Sequence, residues 1–240
     1  MRELIEEAAI TYRQEAENLL FVSAPAAVCG PVLVLISTAG RNAALVAVPL
    51  LLIVYLAAYA ASVRATGRML NNMEPEPVSS YLGALLRGAG VLRAAAPGGV
   101  LLFGVWWCAI LISDQGFAPI ALLLGLAGGG VAFAWAAQHA YDLPLVLVHD
   151  VQADEAAELG PQLVGPKQTT RLAGIVSLPL LAVGLLCLAI GAANPAFGGV
   201  LFAIAIGLWL PFAAIVFTSS CDRIVAEALS SDGYATRAAS

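Results

Sequence analysis

Hydrophobic and polar positions along this chain fall into long blocks rather than short alternations. Six apolar stretches stand out, at about 19–38, 43–63, 97–113, 118–138, 172–192 and 198–219. About 20 apolar residues in a helix cross the roughly 30 Å of a bilayer's hydrocarbon, so each stretch predicts a transmembrane helix. The connections near 39–42, 114–117 and 193–197 are very short, and short connections force antiparallel neighbours. The pattern therefore predicts an all-α, polytopic membrane protein of three helical hairpins within 19–220, with longer segments between them and a tail over 221–240.

The polar blocks carry their own helical signals. Residues 1–18 place Leu4, Ile5, Ala8, Ala9, Tyr12 and Ala16 at helical spacing, continuing into Leu19 and Leu20. The polar face of this arm is mostly acidic. Anionic lipid would repel it, so docking on protein is the expectation. In segment 64–96, Arg64 and Arg68 should extend the second span into the headgroup zone. Asn71, Asn72 and the Glu74-Pro75-Glu76-Pro77 run then break it. Ser79 or Ser80 can cap an in-plane helix holding Tyr81, Leu82, Leu85, Leu86 and Val91. Arg87 and Arg93 would snorkel to the interface. The segment before span five reads as a short acidic turn or helix around Asp154, Glu155 and Glu158. A stiff Gly-Pro loop follows, with Thr169 or Thr170 as a cap.

Charge placement orients the bundle. Of eleven Lys and Arg residues, ten lie in the N-terminal arm, the two long connections and the tail; Arg41 alone falls on the other side. Basic residues near span ends stay cytoplasmic, so both termini are expected inside the inner (plasma) membrane of a bacterial cell. Composition agrees with lipid as the main contact. The 240 residues are 60% hydrophobic and 11% charged, less than half the charged share of an ordinary soluble domain. The net charge of −5 leaves no nucleic-acid footprint. The first eighteen residues hold five Glu and two Arg, unlike the positive start of a signal peptide.

Candidate chemistry gathers at the end of span four: Gln138, His139, Tyr141, Asp142, His149 and Asp150. A helix entering at Ala118 leaves the hydrocarbon near Gln138. Asp142 then lies in the interface, where its charge costs less than the roughly 3 kcal/mol expected at mid-bilayer. His139 and Asp142 are three apart, on one helix face if the helix continues. An Asp in that position can fix a histidine's tautomer and raise its basicity. The same spacing also suits an interfacial network with Arg64, Arg68 or Arg223. A metal would need Asp142, Asp150 or Cys221 as further ligands. No HExxH, CxxC, phosphate loop or nucleophile elbow is present, so no catalytic residue, metal or cofactor is expected. The apolar run Leu143 to Val148, broken by Pro144, emerges from the membrane and needs cover, from the 78–96 helix, the N-terminal arm or a partner.

Packing signals are of three kinds. Gly125, Gly128 and Gly129 offer a small face for close helix approach, or reflect a general Ala/Gly bias. Pro25, Pro31, Pro49, Pro144, Pro179 and Pro211 lie in or beside spans. They would line a cavity as in transporters, or be ordinary membrane-helix prolines. Trp106 and Trp107 are expected to pack on neighbouring helices or to border a pigment or quinone pocket. Cys29, Cys108 and Cys187 are 79 residues apart in turn, a spacing that fits either a triplicated hairpin or chance.

The order Ala60-Ala61-Ser62-Val63-Arg64, then Tyr81 to Arg93, a glycine-flanked third span, and Tyr141-Asp142-Leu143-Pro144-Leu145 closing span four resembles the YesL-like family of six-span bacterial proteins. That resemblance implies a polytopic fold, no established activity and an accessory role near sugar uptake. The leading expectation is a non-enzymatic accessory or assembly subunit, contacting lipid and a membrane-protein partner or a second copy on its cytoplasmic face. The alternatives are a small transporter or channel with its polar site on that face, and a cofactor- or pigment-associated subunit of an electron-transfer or photosynthetic complex.

Overall fold

In a computed structural model of the protein, residues 2–163, 165–191 and 193–238 are described. They form helices throughout: α1 (Arg2–Gln14), α2 (Ala16–Thr38), α3 (Arg41–Leu70), α4 (Pro77–Leu86), α5 (Gly88–Asp114), α6 (Ala118–Gln138), α7 (Asp142–Val148), α8 (Ala153–Leu163), α9 (Pro166–Gly191) and α10 (Pro195–Ala238). Six of them, α2, α3, α5, α6, α9 and α10, supply stretches long and apolar enough to cross a membrane. The fold is all-α and polytopic, and α2–α3, α5–α6 and α9–α10 pack as the three expected hairpins.

The hairpin turns are short because their residues stop one helix and start the next. Gly40 and Gly116 have φ of 144° and 87°, a region that residues with a Cβ rarely enter. At the third turn the Asn194 Oδ1 accepts from the Phe197 N–H at 3.1 Å, and Pro195 opens α10. Residue 192, at the end of the predicted fifth span, lies outside the described residues, as do residue 1 of the arm and residues 239–240 of the tail.

Away from the turns, the helices run beyond their apolar stretches. α3 continues to Leu70 and ends with Asn72 at φ 56°; the Met73 N–H reaches the Arg68 carbonyl and the Asn72 N–H the Met69 carbonyl. This is a Schellman closure with Asn in place of Gly. α4 starts at Pro77, whose fixed φ suits a first helical turn. Ser79 and Ser80 therefore cap nothing; their hydroxyls donate back to the Glu76 carbonyl. Likewise α9 starts at Pro166, which puts Thr169 and Thr170 inside the helix. The predicted tail instead continues α10, and Cys221 sits buried within that helix rather than at a span end.

The core joins α2, α3, α9 and α10, with α1 and α7 packed against them. α1 docks on protein, as its acidic face predicts. Leu4 and Ala8 are buried, the Tyr12 ring meets Phe212 edge-on, and Glu7 pairs with Arg223 of α10. The α5–α6 hairpin is more peripheral, and little of α5 is fully buried. α1, α4, α7 and α8 together make a layer at one end of the bundle, called here the basic end because Arg64, Arg68, Arg87, Arg93 and Arg223 all lie there.

Three prolines share a use that their positions alone did not reveal. The Tyr81 hydroxyl donates to the Val22 carbonyl at 2.6 Å, Trp209 Nε1 to the Val176 carbonyl at 2.9 Å, and the Tyr12 hydroxyl to the Leu208 carbonyl at 3.1 Å. Each acceptor lies three residues before a proline inside its helix: Pro25, Pro179 and Pro211. A helical proline removes the bond to the carbonyl four residues back and distorts that turn; the next carbonyl, three back, has a second lone pair open to a donor from a neighbouring helix. Burial pushes the Tyr81 hydroxyl up to about 12, so it stays a donor at any ordinary pH. Tyr81→Phe, Trp209→Phe and Tyr12→Phe should each lower stability by about 0.5–1.5 kcal/mol, read as thermal unfolding in detergent.

Candidate functional site

The site is built around α7, seven residues whose first six are all buried. So short a helix is not stable by itself in water, and here tertiary contacts hold it. Leu143 and Leu147 pack among Ala60 and Val63 of α3, Ala84 of α4, Val91 and Ala94 of α5 and Ala214 of α10. α8 lies against it as well. The apolar run that needed cover is thus covered by this chain itself. Glycines make the seat: a Cβ on Gly67, Gly90 or Gly160 would press on Val148, Val146 or the Asp142 Oδ1 respectively.

The two ends of α7 are held by charge. At its C-terminal end Arg64 Nη1 donates to the Leu147 carbonyl at 2.5 Å, and Arg87 Nη1 to the Val146 carbonyl at 2.7 Å. Cations at a helix C-terminus also complement its dipole. Gly83 of α4 leaves the room through which Arg64 passes. Arg87 further pairs with Asp150, which terminates the segment at φ 60°. Burial, with the neighbouring Arg64 guanidinium, pulls Arg87 below its ordinary pKa. Arg87 thus stays partly exposed, paired with Asp150, while its guanidinium also reaches the Val146 carbonyl. Arg93 does stay exposed, 4.0 Å from Asp154.

At the N-terminal end stands Asp142, 2% exposed. His139 Nδ1 lies 2.8 Å from its Oδ2. Its Oδ1 has no hydrogen-bond partner and faces Gly160 of α8. The pair is not made by one helix face. α6 ends at Gln138, His139 caps it, and a turn through Ala140 and Tyr141 brings Asp142 back to the histidine. The His139 ring also stacks on Trp135, centroids 4.5 Å apart. Gly98 of α5 leaves space for that indole.

The rest of the predicted cluster divides. Tyr141 is buried and its hydroxyl shares a hydrogen bond with Ser220 at 3.1 Å. His149 Nε2 has no hydrogen bond and lies 3.9 Å from Asp222. Gln138 is exposed. Arg68 and Arg223, expected as partners of this cluster, bind elsewhere: Arg68 to the Glu74 carbonyl and Glu76, Arg223 to Glu7. Arg87, Gly160, Trp135, Ser220 and Asp222 were not anticipated. Only the long-range approach of their helices brings them here.

Of the predicted packing glycines, Gly128 alone works as such, meeting Val105 of α5; Gly125 and Gly129 face open space. Tighter approaches occur where Gly207 meets the Ala27 backbone and Gly198 meets Gly191. Trp106 and Trp107 cluster with Phe103 on their own helix. Cys29 and Cys108 are exposed while Cys187 is buried, so the evenly spaced cysteines occupy unlike surroundings. Among the described residues no third His, Cys, Asp or Glu joins His139 and Asp142 in a metal-like group. A cavity of about 200 Å³ lies between α1, α3 and α10, with Thr66, Ser219 and Asp222 among its polar lining.

Arg87→Ala should lower stability by about 2 kcal/mol, the loss expected for hydrogen bonds from a charged group. Arg87→Lys should restore only part of it, because one ammonium lacks the guanidinium's fork. Thermal unfolding of the two variants checks both. No family model matches this chain, and neither a curated protein nor a solved structure does, so the resemblance to the YesL-like family gains no support and the site is read from its own geometry.

Proposed function

We propose that the protein is a small multi-pass transporter of a bacterial plasma membrane, with both termini cytoplasmic and its working polar site, Asp142 with His139, near that face. The observation that carries this reading is a carboxylate 2% exposed, with one oxygen unpartnered, at the break between α6 and α7. An ionisable group withdrawn from water is costly wherever it lies, and in a multi-pass protein such groups mark ion or substrate pathways. Broken helices with polar ends are how transporters build midmembrane sites, and here the break falls at the cytoplasmic end. The uneven placement of lysine and arginine supports the orientation.

A second reading, a non-enzymatic accessory subunit, is favoured by α4. Its outward residues Val78, Leu82, Leu85 and Leu86 are 72%, 54%, 74% and 88% exposed, and the helix holds no charged side chain. That row meets either lipid or a membrane-protein partner. The run Leu143 to Val148 no longer argues for a partner, being covered from within.

Reconstituted in liposomes and offered sugars, amino acids and inorganic ions in turn, the wild-type protein should move at least one of them. Asp142→Asn and His139→Ala should abolish that flux. A wild type that moves none of these solutes counts against transport. For the second reading, a cysteine at Leu85 should cross-link to another protein in native membranes; a cross-link to nothing but lipid leaves α4 as a lipid-facing helix.

A further inference from the structure

Burial disfavours the ionised form of the Asp142 carboxylate, since an unpaired buried charge is costly. Charged groups on the elements packed against α7 have other partners or face outward; Arg68 on α3 binds the Glu74 carbonyl and Glu76. Arg64 on α3 and Arg87 before α5 bind the far end of α7. Arg93 on α5 faces Asp154 of α8, and Glu155 and Glu158 of α8 are exposed. On α10, Asp222 approaches His149 and Arg223 pairs with Glu7. His139 is the titratable group that reaches Asp142, at 2.8 Å. With a neutral imidazole the pair carries one buried negative charge, and one added proton makes it neutral.

Two further features favour that proton. Trp135 lies against the His139 ring at 4.5 Å with 28° between the planes. The indole face attracts an imidazolium as it does other cations. The Asp142 Oδ1 is buried against Gly160 with no donor, so on that side the carboxylate lacks a hydrogen bond to stabilise its charge.

We propose that the Asp142–His139 pair binds a single proton from the cytoplasm, and that this proton is the coupling ion of the transporter. Only its role as coupling ion rests on the transport reading; the binding itself does not. Uptake forms one N–H bond on the imidazole or one O–H bond on the carboxyl, with no electron transferred. Release returns the proton to water by way of the His139 imidazole, which is 22% exposed.

Trp135 supplies the readout, because an imidazolium stacked on an indole quenches its emission. In full-length protein with Trp106, Trp107 and Trp209 changed to Phe, Trp135 emission should fall in one transition as pH drops from about 8 to about 5, the range over which histidine side chains in general change charge. His139→Gln and Asp142→Asn should each remove or displace that transition, and Gly160→Ala, which crowds the Asp142 Oδ1, should displace it. The nitrogen-15 spectrum of the two histidines in the wild-type protein needs no substitution. One of them should change protonation state in the same interval and be missing in His139→Gln. Flat emission with neither histidine titrating overturns the proposal, as does a transition that persists unchanged in His139→Gln. A clear titration without solute flux under an imposed pH gradient retires the coupling role and keeps the proton site. Flux indifferent to that gradient, with a flat Trp135 signal, retires the proton and keeps the transporter.

Discussion

The basic end of this protein depends on two guanidinium groups donating to the last carbonyls of a helix seven residues long. Arg64 and Arg87 approach from different elements, α3 and the α4–α5 junction, and meet at the Val146 and Leu147 carbonyls. Without them α7 would bury the C-terminal end of a helix dipole among apolar side chains, with carbonyls lacking partners. With them, one dipole is held between an acidic residue at its start, Asp142, and two cations at its end. Leu143, Leu145 and Leu147 can then be buried. The hydrophobic residues supply the burial, and the arginines decide which way the segment faces.

Much of this architecture is legible in the sequence. Hydropathy locates six spans, and α6 matches its stretch residue for residue because Phe117 and His139 bound it on both sides. At the basic end the predicted boundaries fall short. α5, α9 and α10 continue as helix where hydropathy drops, while α3 continues through Arg64 and Arg68 as expected; packing against α4, α7, α8 and α1 supports the extensions of α3, α5 and α10. The His139–Asp142 pairing is readable from spacing, yet it arises by another route, a turn rather than a continuous helix. What local pattern cannot give is the seat of α7. Gly67, Gly90 and Gly160 lie in three different helices, with no motif to join them, whereas Gly125 and Gly129 form a motif with nothing against it. Arg87 resembles any snorkelling arginine until the carbonyl it binds, 59 residues away, is in place.

The covered run also changes where attention belongs. An apolar segment leaving a membrane invites a partner, but here α3, α5, α8 and α10 close over it. The polar residues within the closure are the unusual ones. Asp142 is withdrawn from water by Gly160 on one side and joined to His139 on the other, and His139 in turn lies on Trp135. Carboxylate, imidazole and indole thus form one connected unit spanning the junction of α6, α7 and α8. The nearby His149 and Tyr141 belong to the contact with α10 instead.

The carbonyls three residues before Pro25, Pro179 and Pro211 bear on a freedom peculiar to helices in lipid. A membrane helix that is apolar all round gains little from facing one way rather than another, so burial barely resists its spinning about its own axis. A hydroxyl or indole N–H aimed at one particular carbonyl does resist. It accepts a single azimuth and rejects those on either side. Tyr81, Trp209 and Tyr12 thereby set the rotational phase of α2, α9 and α10, the three helices whose small residues must meet face to face for the core to close.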